Sequence, residues 1–296
     1  MHDGEIVATA EQMRALLRSQ FPAWADREIT PLPLLGTDHA LFRLGTDLVA
    51  RMPRMESVTD QSESDARWLP ILAPHVPLAL PVPLALGEPG AGYPWPWSVV
   101  EWIDGETPTA TNLDLEQAAA DLAAFLVALR GVDPTGGFVK AGTMRGAPLA
   151  NRDEQTRAAI AALGDPIDQQ GVRAAWDASL AAKPWSDELV WLHGDLLPGN
   201  LIVRDRRLVA VIDFGALGIG DPAVDLQPAW KLFDAPARAV FREAMGLDDD
   251  AWERGRGWSL SLSVVGLEYY WDRMPRFADG ARRELDALLG RDKMGS

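Results

Sequence analysis

Apolar and polar positions along the 296-residue chain change period several times, and each change predicts an element. Residues 5–19, EIVATAEQMRALLRS, set Val7, Met13, Leu16 and Leu17 at helical spacing. Residues 41–52, LFRLGTDLVARM, read as two short strands joined at Gly45-Thr46-Asp47. Residues 60–73 read as a helix interrupted near Pro70. A proline-rich stretch with Pro74, Pro77, Pro81 and Pro83 follows, then a strand over 97–106 that ends at Asp104-Gly105.

Beyond that point the period lengthens. Residues 114–130 form an amphipathic helix with Leu115, Ala118, Leu122, Phe125, Leu126 and Leu129 on one face. Residues 151–182 predict two helices broken at Gly164-Asp165-Pro166. Residues 201–213 read as a hairpin turning at Arg204–Arg207, and the remainder is mostly helical. The pattern predicts an α+β chain in two lobes: a small β-rich lobe over 1–103 and a larger helical lobe over 104–296. A cleft between two such lobes is a usual place for a ligand.

Composition narrows the partners. Apolar residues make up 47% and charged residues 24%, ordinary globular usage. No apolar run is long enough to span a bilayer, so no membrane segment is expected. The N-terminus carries early acids and no basic region before an apolar core, unlike a signal peptide. With no cysteine, disulfides and thiolate chemistry are excluded, which suits a cytoplasmic protein. Basic residues number 28 against 43 acidic ones, a net charge of −15 that argues against nucleic acid. It is compatible with a cationic small molecule, and equally with simple solubility.

Candidate chemistry concentrates in 191–215, WLHGDLLPGNLIVRDRRLVAVIDFG. Phosphoryl transfer needs a carboxylate to orient a hydroxyl and take its proton, and hard oxygen ligands for Mg²⁺. In kinase-type sites the base Asp stands five residues before a metal-binding Asn, and a second metal Asp opens an Asp-Phe-Gly after a hairpin. Asp195, Asn200 and Asp213 match all three positions. Each alone reads as a turn, cap or strand end; the joint spacing predicts a catalytic Asp195 with Asn200 and Asp213 as metal ligands. His193 is expected to bridge loop backbone, and Asp205 to be a turn residue.

HGDLLPGN, VIDFG and GDPAVDL (220–226) together resemble the aminoglycoside phosphotransferase family, the kinase-like small-molecule phosphotransferases. The resemblance covers nearly the whole chain and is strongest over 190–232. It implies a protein-kinase-like two-lobed fold, ATP or GTP with Mg²⁺, and transfer of the γ-phosphate to a hydroxyl. Protein kinases carry Arg where this chain has Gly194. The resemblance implies Arg51 as the phosphate-binding base, where the family usually has Lys. Its helix partner falls at Asp65, where Glu is usual, with Glu63 as the alternative. The phosphate-covering loop falls on 34–45, with Gly36, Thr37, Asp38 and His39, although Gly-x-Gly-x-x-Gly is missing; Val49 adds a nucleotide contact. The hinge falls at Glu101 and Ile103 through backbone groups. Asp221 is expected as a helix N-cap and Asp225 as an acceptor for catalytic-loop backbone.

Acidic and aromatic residues in the helical lobe are candidates for an amino-sugar acceptor: Asp153, Glu154, Glu268, Tyr269 and Tyr270, beside Trp271. A solvated face and a packed core explain them as well. An aminoglycoside is the leading acceptor. A macrolide or a small metabolic alcohol or sugar is the alternative, and a non-catalytic pseudokinase fits least because all three signature residues are present.

Overall fold

The computed structural model describes residues 5–32, 38–109, 111–164, 167–186, 188–270 and 283–291, with backbone only at 269 and 270. They form two compact units. The first comprises residues 1–107 with Ile202–Arg204 and Val209–Gly215; the second comprises Pro108–Leu201, Asp205–Leu208 and Ala216–Ser296.

The first unit is built on an antiparallel five-stranded sheet. Its strands are β1 (Ile29–Pro31), β2 (His39–Leu44), β3 (Leu48–Pro53), β4 (Pro83–Gly87) and β5 (Trp97–Glu101), in the order β1-β2-β3-β5-β4. All six residues of the central strand β3 are buried. Helix α1 (Ala10–Gln20) begins later than the sequence predicts. Thr9 and Gln12 form a reciprocal capping box that starts the helix there, and Val7 is 70% exposed. Met13, Leu16 and Leu17 join Phe42, Leu44 and Trp97 in the unit's core.

Three further differences from the sequence reading are local. Helix α2 (Gln61–Leu72) runs through Pro70 without interruption, although proline lacks the N–H that would bond back to the carbonyl of residue 66. Pro83 opens β4, an edge strand, where its missing donor faces no partner strand. Strand β5 stops at Glu101, short of the predicted end. A single boundary at 103/104 is also too simple. Glu106 and Val203 exchange backbone hydrogen bonds, and Ala79 bonds to Val209 and Val211, which binds hairpin residues to the first unit.

In the second unit, α3 (Leu115–Arg130) packs on α7 (Ala235–Met245). Helices α4 (Asp153–Leu163) and α5 (Gln169–Ala181) pack on the long α8 (Asp249–Tyr270), and the short α6 (Pro228–Lys231) leads into α7. Small residues let α8 approach closely: a Cβ on Gly257 would meet Leu149 and Ser179 within 2.7 Å. Strand β6 (Val190–Leu192) pairs with β9 (Gly218–Gly220) in register Trp191↔Ile219. Strands β7 (Leu201–Arg204) and β8 (Arg207–Val211) form the predicted hairpin, most of whose strand residues belong to the first unit. Its turn residues Asp205 and Arg206 both have positive φ, 51° and 63°, as a tight two-residue turn requires. Among the described residues no helix is long and apolar enough to cross a membrane.

Candidate active site

In the first unit, β3 carries Arg51 into the interior. Its Nη1 meets Asp65 Oδ2 of α2 at 2.9 Å, with Asp65 1% and Arg51 9% exposed. Asp65, rather than Glu63, is therefore the partner. Arg54 is separate, ion-paired with Glu5. Burial pushes the Asp65 carboxyl up to about 6, while Arg51 pulls it down. His39, the first residue of β2, is held down to about 3 by burial first and the Arg51 charge second, so its imidazole is neutral.

Asp213 belongs to the same cluster. Its Oδ1 accepts from Gln61 Nε2 at 3.3 Å, and its φ of 63° is left-handed. A non-glycine residue there costs about 1 kcal/mol, strain that the surrounding structure must sustain. A Cβ on Gly215 would lie 3.0 Å from Gln61, so the glycine leaves room for that amide. Gln61 carried no recognisable sequence signal.

The other nucleotide-side candidates are placed as follows. Val49 is 7% exposed and, two residues before Arg51, shares its sheet face. Trp102 N–H donates to Asp47 O at 2.8 Å, and ladder alternation then turns the peptide groups of Glu101 away from β3. Hydrogen bonding between β4 and β5 registers only as far as Val100, so Glu101 stands at the end of that ladder, with Ile103 two residues on. Asp38 C=O accepts from Arg54 N–H at 2.8 Å. Gly36 and Thr37 lie outside the described residues.

In the second unit, β6 delivers the loop His193-Gly194-Asp195. Asp225 Oδ2 and Oδ1 accept the N–H groups of His193 and Gly194 at 2.8 and 2.7 Å. His193 Nδ1 accepts the Asp195 N–H at 3.2 Å, the bridging role predicted for it. Asn200 Nδ2 donates to Asp195 C=O at 2.8 Å. Gly194 has φ 80°, and a Cβ there would lie 2.8 Å from Ala216 O, so arginine at this position is excluded by both strain and space.

Two ionic contacts were not legible in the sequence. Arg145 Nη1 lies 2.5 Å from Asp195 Oδ1. The contact is an ion pair, and Oδ1 is buried without a hydrogen-bond donor. Asp221 caps the turn at Pro222 by accepting from Ala223 N–H at 3.0 Å, as predicted. It also holds buried Arg254, Nε to Oδ2 at 2.7 Å.

Among the acceptor candidates, Asp153 is already engaged. Asp153 Oδ1 is engaged by Arg157 Nε and Trp176 Nε1, each at 2.7 Å, which ties α4 to α5. Glu154 and Glu268 are exposed. The backbone of Tyr269 and Tyr270 ends α8, and their side chains and Trp271 lie outside the described residues.

Each metal candidate offers a hard oxygen donor within its own unit: Asp213 a carboxylate in the first, and Asn200, donating through its nitrogen, an amide oxygen in the second. Among the described residues no three His, Cys, Asp or Glu side chains gather to hold a metal unaided. Mg²⁺ usually takes one or two protein ligands and the rest from phosphate and water.

The fold and these two groups of residues define the kinase-like small-molecule phosphotransferase class. The model of the phosphotransferase enzyme family matches residues 28–258, and the chain belongs to that family. An aminoglycoside 3'-phosphotransferase of Niallia circulans is 30% identical over 123 residues, 36% of this chain and 46% of that protein. Another, of Streptomyces fradiae, is 29% identical over 187 residues, 58% of this chain and 62% of that protein. The matches thus span less than two thirds of these curated relatives. The structure of the GDP complex of aminoglycoside 2'-phosphotransferase-IIIa aligns with TM-score 0.73 at 18% identity, over 96% of this chain and 99% of that one, a likeness of fold.

Proposed function

We propose that the protein transfers the γ-phosphoryl group of ATP or GTP to a hydroxyl of an aminoglycoside. The observation that carries the reading is the fixed loop: Asp225 binds the His193 and Gly194 N–H groups, His193 binds the Asp195 N–H, and Asn200 binds its carbonyl. A loop backbone fixed by four hydrogen bonds presets where the Asp195 carboxylate stands to orient a hydroxyl.

In this reading the acceptor oxygen attacks the γ-phosphorus as the bond to the β-bridging oxygen breaks. The hydroxyl proton passes to Asp195 and then to water, and nucleoside diphosphate leaves. Arg51, fixed by Asp65, binds the α- and β-phosphates. Glu101 and Ile103 present backbone groups to the base. Asn200 and Asp213 would hold Mg²⁺, which would neutralise phosphate charge. The named relatives and the net charge of −15 support a cationic antibiotic as acceptor.

The test is nucleotide release with ATP and with GTP against a panel of aminoglycosides, macrolides and small alcohols. Aminoglycosides should stimulate release most. Stimulation by a macrolide or small alcohol alone would reassign the acceptor, and stimulation by none would remove the reading.

A further inference from the structure

Arg145 stands on a loop with no regular secondary structure, yet its side chain reaches the carboxylate proposed as the base. An exposed arginine pairing with a nearby acid is ordinarily worth little. This one is placed by its backbone. Gly142 C=O, three residues before it, accepts from Asn151 Nδ2 at 2.8 Å. Thr143 C=O accepts from Arg152 Nη1 at 2.9 Å, and Arg152, 6% exposed, is anchored in turn on Ser261 Oγ at 2.8 Å. On the other side Gly146 has φ 90°, and its C=O accepts the Asp221 N–H at 2.8 Å. A Cβ on Gly146 would lie 2.4 Å from Leu192, the residue that leads into His193-Gly194-Asp195. The segment carrying Arg145 is therefore locked on both sides, and one of those locks is the base of the catalytic loop itself.

The 2.5 Å contact falls on Oδ1, which is buried, while the side chain as a whole remains 22% exposed. Oδ2 is not among the buried atoms and is the oxygen available to meet a hydroxyl. A guanidinium beside Asp195 also offsets the repulsion that a bare carboxylate would exert on an incoming phosphate.

We propose that Arg145 is a positioning residue for phosphoryl transfer: it holds Oδ1 of Asp195 so that Oδ2 faces the acceptor hydroxyl, and its charge shields the phosphate from the base. The proposal rests on the phosphotransferase reading of Asp195 and adds to it a residue outside the family-like motifs.

The experiment compares wild type, Arg145→Lys and Arg145→Gln in acceptor-stimulated nucleotide turnover, with nucleotide affinity measured by calorimetry. Arg145→Gln should lower kcat on the order of 10²-fold, the scale of a misplaced catalytic group, with nucleotide affinity nearly unchanged. Arg145→Lys, which keeps the charge, should recover much of the loss, and added guanidinium should partly restore Arg145→Gln. Unchanged kcat in Arg145→Gln would overturn the proposal. So would equal losses in the two variants with no guanidinium effect, which would mark a merely structural role. A faster Arg145→Gln enzyme would show the arginine obstructing the base. Wild-type protein that no acceptor stimulates would instead sink the phosphotransferase reading, and this inference with it.

Discussion

Asp225 Oδ1 accepts the Gly194 N–H at 2.7 Å, and its other oxygen accepts the His193 N–H at 2.8 Å, so one buried carboxylate fixes two consecutive peptide groups before Asp195. Burial pushes this carboxyl up, and His193, the two N–H groups and Arg130 pull it back toward ionisation. Asp225→Asn keeps one acceptor oxygen but turns an NH₂ toward a peptide N–H. It should cost about 1–3 kcal/mol of stability and lower kcat more than it changes nucleotide affinity. Chemical denaturation and steady-state kinetics together check this; an Asn variant with full stability and turnover would reject the clamp.

The Arg51–Asp65 pair predicts coupled losses. Either Arg51→Ala or Asp65→Ala should weaken nucleotide binding, and the double variant should be little worse than Arg51→Ala, because Asp65 acts through Arg51. Calorimetry on the four proteins checks it. Additive losses would mean that the two side chains act separately.

The same pair predicts a pH dependence. Folded Asp65 releases its proton at about 6, against 3.8 for the reference carboxyl. Between those values the folded state binds more protons than the unfolded one, so this group's contribution to stability falls as pH rises through the window and is level above it. The charged pair exists above the window and is lost as pH falls through about 6. The Tm advantage of wild type over Asp65→Asn should thus grow from pH 7 to pH 5, while its advantage in nucleotide affinity shrinks. Parallel curves for the two proteins would contradict the assignment.

Asp221 and Arg254, each with 5% of its side chain exposed, form a buried pair. Removing one partner leaves an uncompensated charge, so Arg254→Met should destabilise the protein by about 3–5 kcal/mol. Asp221→Asn/Arg254→Met together should recover part of that loss. Denaturant midpoints decide; a single variant as stable as wild type would dismiss the pair as a structural element.

What the sequence disclosed follows the range of the interactions. The strands around Gly45, helix 114–130 and the hairpin at Asp205-Arg206 rest on local periodicity and turn chemistry, and all three formed with ends shifted by one or two residues. Asp65 and Asp225 were legible through the family resemblance, which implies the first as the partner of Arg51 and comes with the second as an acceptor for the catalytic loop. Strand β4 was hidden by its prolines, since local pattern does not reveal that a strand will lie at a sheet edge. The start of α1 was misplaced because Val7 fits the helical period but precedes the Thr9 cap. Gln61, Arg145 and Arg254 meet their partners only through tertiary folding, and no local pattern marks them.

The central claim is that Asp195 orients and deprotonates the acceptor hydroxyl. The most direct measurement is aminoglycoside-stimulated nucleotide turnover in Asp195→Ala beside nucleotide affinity in the same protein. Turnover should fall by about 10²–10⁴-fold, the range of general acid–base catalysis, with nucleotide still bound near wild-type affinity. Undiminished turnover in Asp195→Ala would contradict the account.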